Sequence, residues 1–123
     1  MHEMSVVRDI VAMVCDACRG YRDAHVRQVH LTVGAMHDVE TDLVPGFFRF
    51  LAKGTPAQDA ELSIKVVPVT LRCGVCGEIF PYDIWHRGVA TCPQCGATRC
   101  HAIYSGKEFF LDSIEVEKAS AVA

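Results

Sequence analysis

Four of the seven cysteines in this 123-residue chain stand in two matched turns, Cys73-Gly74-Val75-Cys76 and Cys92-Pro93-Gln94-Cys95. About fifteen residues separate the pairs, the spacing of a four-thiolate metal site. Gly77 and Gly96 follow the second cysteine of each pair. A glycine there lets each turn curl back so that backbone N–H groups point at sulfur. Two disulfides or four buried thiols are the bland alternative, and two identical CxxCG turns weigh against both. Four sulfurs in a tetrahedron suit zinc. Iron is the rival, since the same knuckles hold a single iron in rubredoxin-like domains and spacing does not separate the two metals. A closed four-sulfur zinc has no open position for a substrate, so this ribbon reads as structure or as an interaction module.

The first three residues are the other chemically loaded stretch. His2 is too large for removal of the initiator, so Met1 is expected to stay and to present a free amine beside an imidazole. The amine, the amide nitrogens of His2 and Glu3, and the His2 ring make a nitrogen-rich, nearly planar donor set that suits Ni(II) or Cu(II). The bland reading of a lone His2 is an exposed terminal residue. Cys15 and Cys18 form a third CxxC, but they fall in a helical pattern without the reversal of a knuckle, and they read as packing thiols.

Several elements must position these groups. Val7, Ile10, Val11, Val14, Cys18 and Tyr21 recur at helical steps, with Gly20 near the stop. His25 just beyond reads as a loop residue. Val29, Leu31 and Val33 alternate with His30 and Thr32 as a strand closed by Gly34, with His30 on the open face. A second helix follows, with Thr41 or Asp42 as its cap, Pro45 in its first turn, an apolar stripe of Leu43, Phe47, Phe50 and Leu51, and a stop at Lys53-Gly54. Glu61 to Val67 alternates as a second strand. Phe109 to Glu117 reads as a third, in which Asp112 breaks the alternation; a bulge at Asp112-Ser113 or a late start would each restore it.

Neither terminal segment can bury its apolar face alone, so the last strand is expected to return to the first two. The predicted fold class is α+β, a three-stranded sheet with two helices on one face, plus an inserted four-cysteine zinc ribbon. Residues 1–67 and 109–123 form the discontinuous α/β domain, and residues 68–108 form the ribbon domain, with Pro68 and Gly106 near the necks.

Composition narrows the function. Half of the residues are hydrophobic, enough for one modest core, and the formal charge is −3. The ribbon sets Arg72, Arg87, Arg99 and Lys107 against Glu78, Asp83 and Glu108. That near-balance weakens a nucleic-acid partner, which asks for a basic face. No stretch approaches the roughly eighteen apolar residues of a membrane span, and no leader pattern opens the chain. An odd number of cysteines fits a reducing compartment, so the expected location is cytoplasmic. No Ser/His/Asp order, phosphate loop or HExxH pattern suggests an enzyme.

Met1-His2-Glu3-Met4-Ser5, Gly34 through Glu40, Gly54-Thr55 followed by Ala60-Glu61-Leu62-Ser63-Ile64, the two CxxCG knuckles, and Gly106-Lys107-Glu108 leading to Ser113-Ile114-Glu115-Val116 lie in order along the chain. Together they resemble the HypA/HybF family of nickel metallochaperones. The resemblance covers nearly the whole chain. It implies an α/β nickel domain with an inserted zinc ribbon and delivery of Ni(II) during maturation of [NiFe]-hydrogenase and, in some relatives, of urease. The implied partners are a HypB-type nickel GTPase, the hydrogenase large-subunit precursor and, in some relatives, urease accessory proteins; the chain itself is expected as a monomer or weak homodimer, with no membrane and no nucleic acid. By the same resemblance His2 is the nickel ligand, Met1 and Glu3 contribute main-chain nitrogen, Glu40 supplies a carboxylate, and Cys73, Cys76, Cys92 and Cys95 hold Zn2+. His37 and Asp38 lie close enough in sequence to compete with Glu40. Thr41 departs from the family, where many relatives have proline. His86 and His101 flank the knuckles, as histidines do in relatives. A rubredoxin-like electron carrier and a nucleic-acid-binding ribbon are the alternatives from other classes, and neither accounts for Met1-His2-Glu3.

Overall fold

The computed structural model describes residues 2–21, 23–85 and 88–118, with the backbone alone described at His2 and Lys118. Helix α1 (His2–Ala17) leads to strand β1 (Ala24–Gly34), a short 3-10 turn (Ala35–His37), helix α2 (Val44–Leu51) and strand β2 (Glu61–Val67). Strands β3 (Thr70–Arg72), β4 (Ile79–Pro81) and β5 (Ala102–Ser105) follow, and β6 (Phe109–Lys118) ends the described chain. These elements make two three-stranded sheets, ordered β2-β1-β6 and β4-β3-β5. The expected α+β class with an inserted ribbon is what the chain adopts. No described helix is long and apolar enough to cross a membrane.

The chain divides into two compact units: residues 1–32, 39–65 and 110–123 form one, and residues 33–38 and 66–109 form the other. Val33–Asp38 therefore group with the ribbon segment. The cause is local hydrogen bonding, because the Gly34 N–H donates to the Glu108 carbonyl at 2.6 Å and the Met36 N–H to the Gly106 carbonyl at 2.9 Å. Gly34 also approaches Gly106 so closely that any side chain on it would collide with the Gly106 carbonyl. Gly106 has φ +117° and lies against Val69, so both its conformation and its surroundings require glycine.

In the first unit, α1 packs against α2, and the core is Val7, Ile10, Val14, Cys18, Val26, Val29, Leu31, Val44, Phe48, Ala52 and Ala57. The α1 stripe runs as the periodicity predicts up to Cys18. Tyr21 departs from it: the helix ends at Ala17 and the turn through Gly20, φ +91°, leaves Tyr21 60% exposed. His25 is not in a loop but near the start of β1, on an exposed position. Strand β1 starts earlier than its alternation suggests, because Val26 and Val29 are both buried and an extra residue between them breaks the period of two.

Strand β6 carries the matching irregularity. Across the open face Arg27 pairs with Glu117, His30 with Glu115, and Thr32 with Asp112. The partner numbers rise on one strand as they fall on the other, so β1 and β6 run antiparallel. From Thr32 to His30 is two residues while Asp112 to Glu115 is three, which places one extra residue beside Ser113. The strand already begins at Phe109, so the bulge, and not a late start, resolves the broken alternation.

Helix α2 differs from expectation in both cap and phase. Leu43 occupies the N-cap without any side-chain hydrogen bond, since Glu40–Leu43 form a turn in which the Leu43 N–H donates to the Glu40 carbonyl. Pro45 lies in the first turn as expected. The buried face is Val44, Phe48 and Ala52 at four-residue steps, with Phe47 and Leu51 half-buried at its edge. Leu43 and Phe50, expected inside, are 49% and 61% exposed. An apolar residue on every side of a short helix leaves the sequence with no polar face to fix its phase.

Candidate metal centres

The ribbon sheet pairs Leu71 with Phe80 and with Ile103; the first knuckle follows β3 directly, and the second lies in the segment between β4 and β5. At the first, the Cys73 N–H donates to the Glu78 carbonyl at 2.8 Å and the Gly77 N–H to the Cys73 carbonyl at 3.0 Å. The second repeats the pattern, with Cys92 to Ala97 at 2.9 Å and Gly96 to Cys92 at 2.9 Å. Gly77 and Gly96 have φ +83° and +77°, the left-handed conformation that the reversal requires. The Val75 and Gln94 N–H groups each stand 3.4 Å from the Sγ of Cys73 and Cys92.

All four sulfurs come together. The Sγ atoms of Cys73 and Cys95 are 3.6 Å apart, as are those of Cys76 and Cys92, and the four lie within 4.8 Å of one another. Disulfides, at about 2.05 Å, are excluded by those separations. Sulfurs at the corners of a tetrahedron around zinc, with Zn–S of about 2.3 Å, stand about 3.8 Å apart. The donor set thus fits a structural zinc. Cys73 and Cys92 are buried with Leu71 and Phe80, while Cys76 and Cys95 are exposed.

Electrostatics within the cluster also call for a cation. N–H groups of Cys76 and Val75 hold the Cys73 thiol down to about 6, against desolvation. Cys76 accepts a backbone hydrogen bond from Glu78, which lowers it. Desolvation and its contacts with Cys92, Cys95 and Cys73 nonetheless push it up to about 12. Cys95 is likewise raised despite its bond from Ala97, by burial and by Cys73. The Cys73 thiolate forms readily while Cys76 and Cys95 resist, and a divalent ion at the centre removes that repulsion.

The flanking histidine and cysteine stand apart from this set. His101 is half-buried, its ring edge-on to Phe80 at 5.2 Å and its Nε2 donating to the Ala97 carbonyl at 3.0 Å. Its Nδ1 is buried and has no hydrogen-bond partner among the described residues. Cys100 is exposed. Among the described residues neither joins the four-sulfur group. His86 lies outside the described residues, as do Met1 and the His2 side chain.

At the other end of the chain, His2 is the first residue of α1. The first amides of a helix have no intrahelical acceptor. Glu3 sits in that first turn, and its carboxylate accepts the Glu40 N–H at 3.1 Å. This contact brings the loop before α2 to the start of α1 even with Thr41 in place of proline. Of the acidic and imidazole groups near it in sequence, His37 is already engaged. Its Nε2 donates to the Lys107 carbonyl at 3.0 Å and its ring packs edge-on to Phe109. The Glu3–Glu40 contact pairs two main-chain and side-chain groups 37 residues apart, and only the spacing of a motif, not periodicity, could have pointed to it.

Cys15 and Cys18 lie on α1 and in the turn after it. Burial, and then the neighbouring Cys15, raise the Cys18 thiol, which keeps it neutral. That suits a packing role.

Residues 1–116 match a family described as hydrogenase/urease nickel incorporation, metallochaperone, hypA. The hydrogenase maturation factor HypA of Caldanaerobacter subterraneus subsp. tengcongensis is 32% identical over 117 residues, covering 95% of this chain and 100% of the relative. The factor of the same name from Beijerinckia indica subsp. indica is 34% identical over 116 residues, 94% of this chain and 99% of the relative. Among solved structures, the Ni metallochaperone HypA from Helicobacter pylori is similar at a TM-score of 0.61 and 27% identity, over 96% of this chain and 99% of that one. A further solution structure of HypA protein shares the fold, with a TM-score of 0.67 at 24% identity over 95% and 97% of the two chains.

Proposed function

The chain belongs to the HypA family of nickel metallochaperones for hydrogenase maturation, and from that premise we propose how its own residues divide the work. Nickel is cargo, taken up at the start of α1 by the His2 ring and by main-chain nitrogen of Met1 and Glu3, with the Glu40 carboxylate closing the site. The observation that supports this most directly is the Glu3–Glu40 hydrogen bond, which gathers the N-terminal residues and the loop before α2. Cys73, Cys76, Cys92 and Cys95 would hold the zinc, which supplies a cross-link for a ribbon whose own core is four buried residues.

Transfer, not turnover, is the mechanism. A site built on the chain end is reached by few side chains, so a recipient's ligands can approach while the old ones leave. Protons compete for the imidazole and the amine, so cargo is held more weakly as pH falls. The recipient route we infer runs through a HypB-type GTPase to the hydrogenase large-subunit precursor, in the cytoplasm; urease accessory proteins are a second route open to the family. The ribbon spanning residues 68–108 serves as a zinc domain inserted between residues 1–67 and 109–123 of the nickel domain, of which residues 33–38 group with the ribbon.

Isothermal titration with Ni(II) tests this on the native chain, on a chain extended by one residue before Met1, and on His2→Ala. The extension turns the amine into an amide and displaces the donor set. Nickel binding by the native protein alone is the expected result. If all three bind alike, nickel sits elsewhere and His86 and His101 become the first alternatives.

A further inference from the structure

The two knuckles are supported unequally. The first lies between β3 and β4, which pair with each other, and its Cys73 N–H is fixed to the Glu78 carbonyl at 2.8 Å. The second lies in the irregular segment that separates β4 from β5, so no strand adjoins it. Two of the bonds that shape it meet at Ala97. The Ala97 carbonyl accepts the Cys92 N–H at 2.9 Å, and the Ala97 N–H bonds to the Sγ of Cys95.

His101 ties that residue to the sheet. Its Nε2 donates to the same Ala97 carbonyl at 3.0 Å, while its ring stands edge-on to Phe80 of β4, a member of the ribbon core. Between the two, Cys100 holds the left-handed conformation at φ +68°, which a residue with a side chain keeps only where its surroundings impose it. The Cys100 carbonyl lies so close to Gly74 that any side chain on that glycine would collide with it. Residues 97–101 therefore touch the second knuckle at one end and the first near the other, and the His101–Ala97 bond closes that loop.

Packing alone does not ask for a histidine here. The Nδ1 atom is buried with no hydrogen-bond partner among the described residues, and a buried acceptor left unpaired is destabilising. Phenylalanine would set the same ring against Phe80 without that cost; what it lacks is the N–H. We propose that His101 is a positioning residue for the zinc site, whose Nε2–H holds Ala97 in place and so keeps the second knuckle closed on the metal. This rests on the assignment of zinc to the four cysteines. Cys95 is exposed, so a competing chelator reaches that corner, and a loosened Ala97 would let its thiolate detach sooner.

Transfer of zinc from the full-length chain to excess EDTA tests this, beside zinc content and melting curves. The wild type is expected to hold one zinc per chain. His101→Phe should keep that zinc and melt no earlier than the wild type, yet release the metal about tenfold faster, the lower end of what removing a hydrogen-bond partner costs a metal site. His101→Gln returns an N–H near the place of Nε2 without the ring, so it should release zinc at close to the wild-type rate even though it melts earlier. A merely structural role would move both readouts together. His101→Met has the length of glutamine and no N–H, and it should release zinc about tenfold faster than His101→Gln, a comparison that does not depend on ring packing. Equal release by the glutamine and methionine variants overturns the proposal, as does release from His101→Phe at the wild-type rate. A wild type without zinc overturns the zinc assignment and the proposal with it; one zinc per wild-type chain with no difference among the variants overturns the role of His101 alone.

Discussion

The four-cysteine site and the proposed nickel site differ in what closes them. At the ribbon, one chain supplies all four sulfurs from two rigid turns, two of them buried, with backbone N–H groups already aimed at sulfur. At the start of α1, the proposed donors are a chain end and a loop joined by the exposed Glu3–Glu40 hydrogen bond. A preorganised, closed set retains its ion; a loosely gathered set can hand its ion on. On the proposed nickel site, the contrast is how a chain can keep one metal as structure and carry another as cargo.

The sharpest way to break the comparison is to open the closed site. Cys76→Ser removes one corner of the tetrahedron, and structural zinc in small ribbons supplies on the order of 10 kcal/mol of apparent binding energy. The ribbon core of Leu71, Cys73, Phe80 and Cys92 is too small to stand without it. Zinc content should fall to near zero, and amide exchange should become fast over residues 70–105 while the protection of α1 and β1 persists. Purified protein carrying iron, or an ordered ribbon without metal, would count against the assignment.

The second test acts on the open site. His2→Ala should abolish high-affinity Ni(II) binding, yet shift the thermal stability of the metal-free chain by no more than about 0.5 kcal/mol. In the native chain, nickel affinity should decline as pH falls, because protons compete with the metal for the imidazole and the amine. An affinity that does not change with pH would show that imidazole is not a ligand.

How much of this was readable before the structure follows from the kind of constraint each element obeys. The knuckles were legible because their chemistry fixes residue types at fixed spacing, and Gly77 and Gly96 mark the backbone reversal. Strand β2 was legible as Glu61–Val67 because one of its faces is polar. The phase of α2 was not, since Leu43, Val44, Phe47, Phe48, Phe50 and Leu51 surround the helix and only tertiary packing chooses Val44 and Phe48. Strand β1 was read too short because its extra residue hides the alternation of Val26 with Val29. The Glu3–Glu40 contact joins a helix turn to a loop, which no local pattern encodes.

A smaller effect is expected from the third CxxC, and it asks whether thiols outside the ribbon take part in metal handling. Cys18 is 5% exposed among Val14 and Ile10, and burial raises its thiol, so it packs as a small apolar side chain. Cys15→Ala with Cys18→Ala should cost about 1–2 kcal/mol of stability in denaturant unfolding and leave zinc and nickel content unchanged. Loss of either metal would mean that the first helix contributes ligands.

The smallest effect is the most informative about the open site, because Glu3 and Glu40 can be separated. Glu40→Ala keeps the N–H that donates to Glu3 and removes only the carboxylate, so the loop stays where it is. Glu3→Ala keeps the Glu40 carboxylate and removes the acceptor that holds the loop. It also takes an acidic group from the first turn of α1, which costs about 0.5 kcal/mol through the helix dipole. If the Glu40 carboxylate ligates nickel, Glu40→Ala should weaken Ni(II) about fivefold with no change in stability. Glu3→Ala should then weaken it about twofold while lowering the melting temperature slightly. If the loop serves only as a tether, the order reverses: Glu3→Ala becomes the more harmful change and Glu40→Ala is silent. Titration of both variants at one pH, beside their melting curves, distinguishes a ligand from a strut.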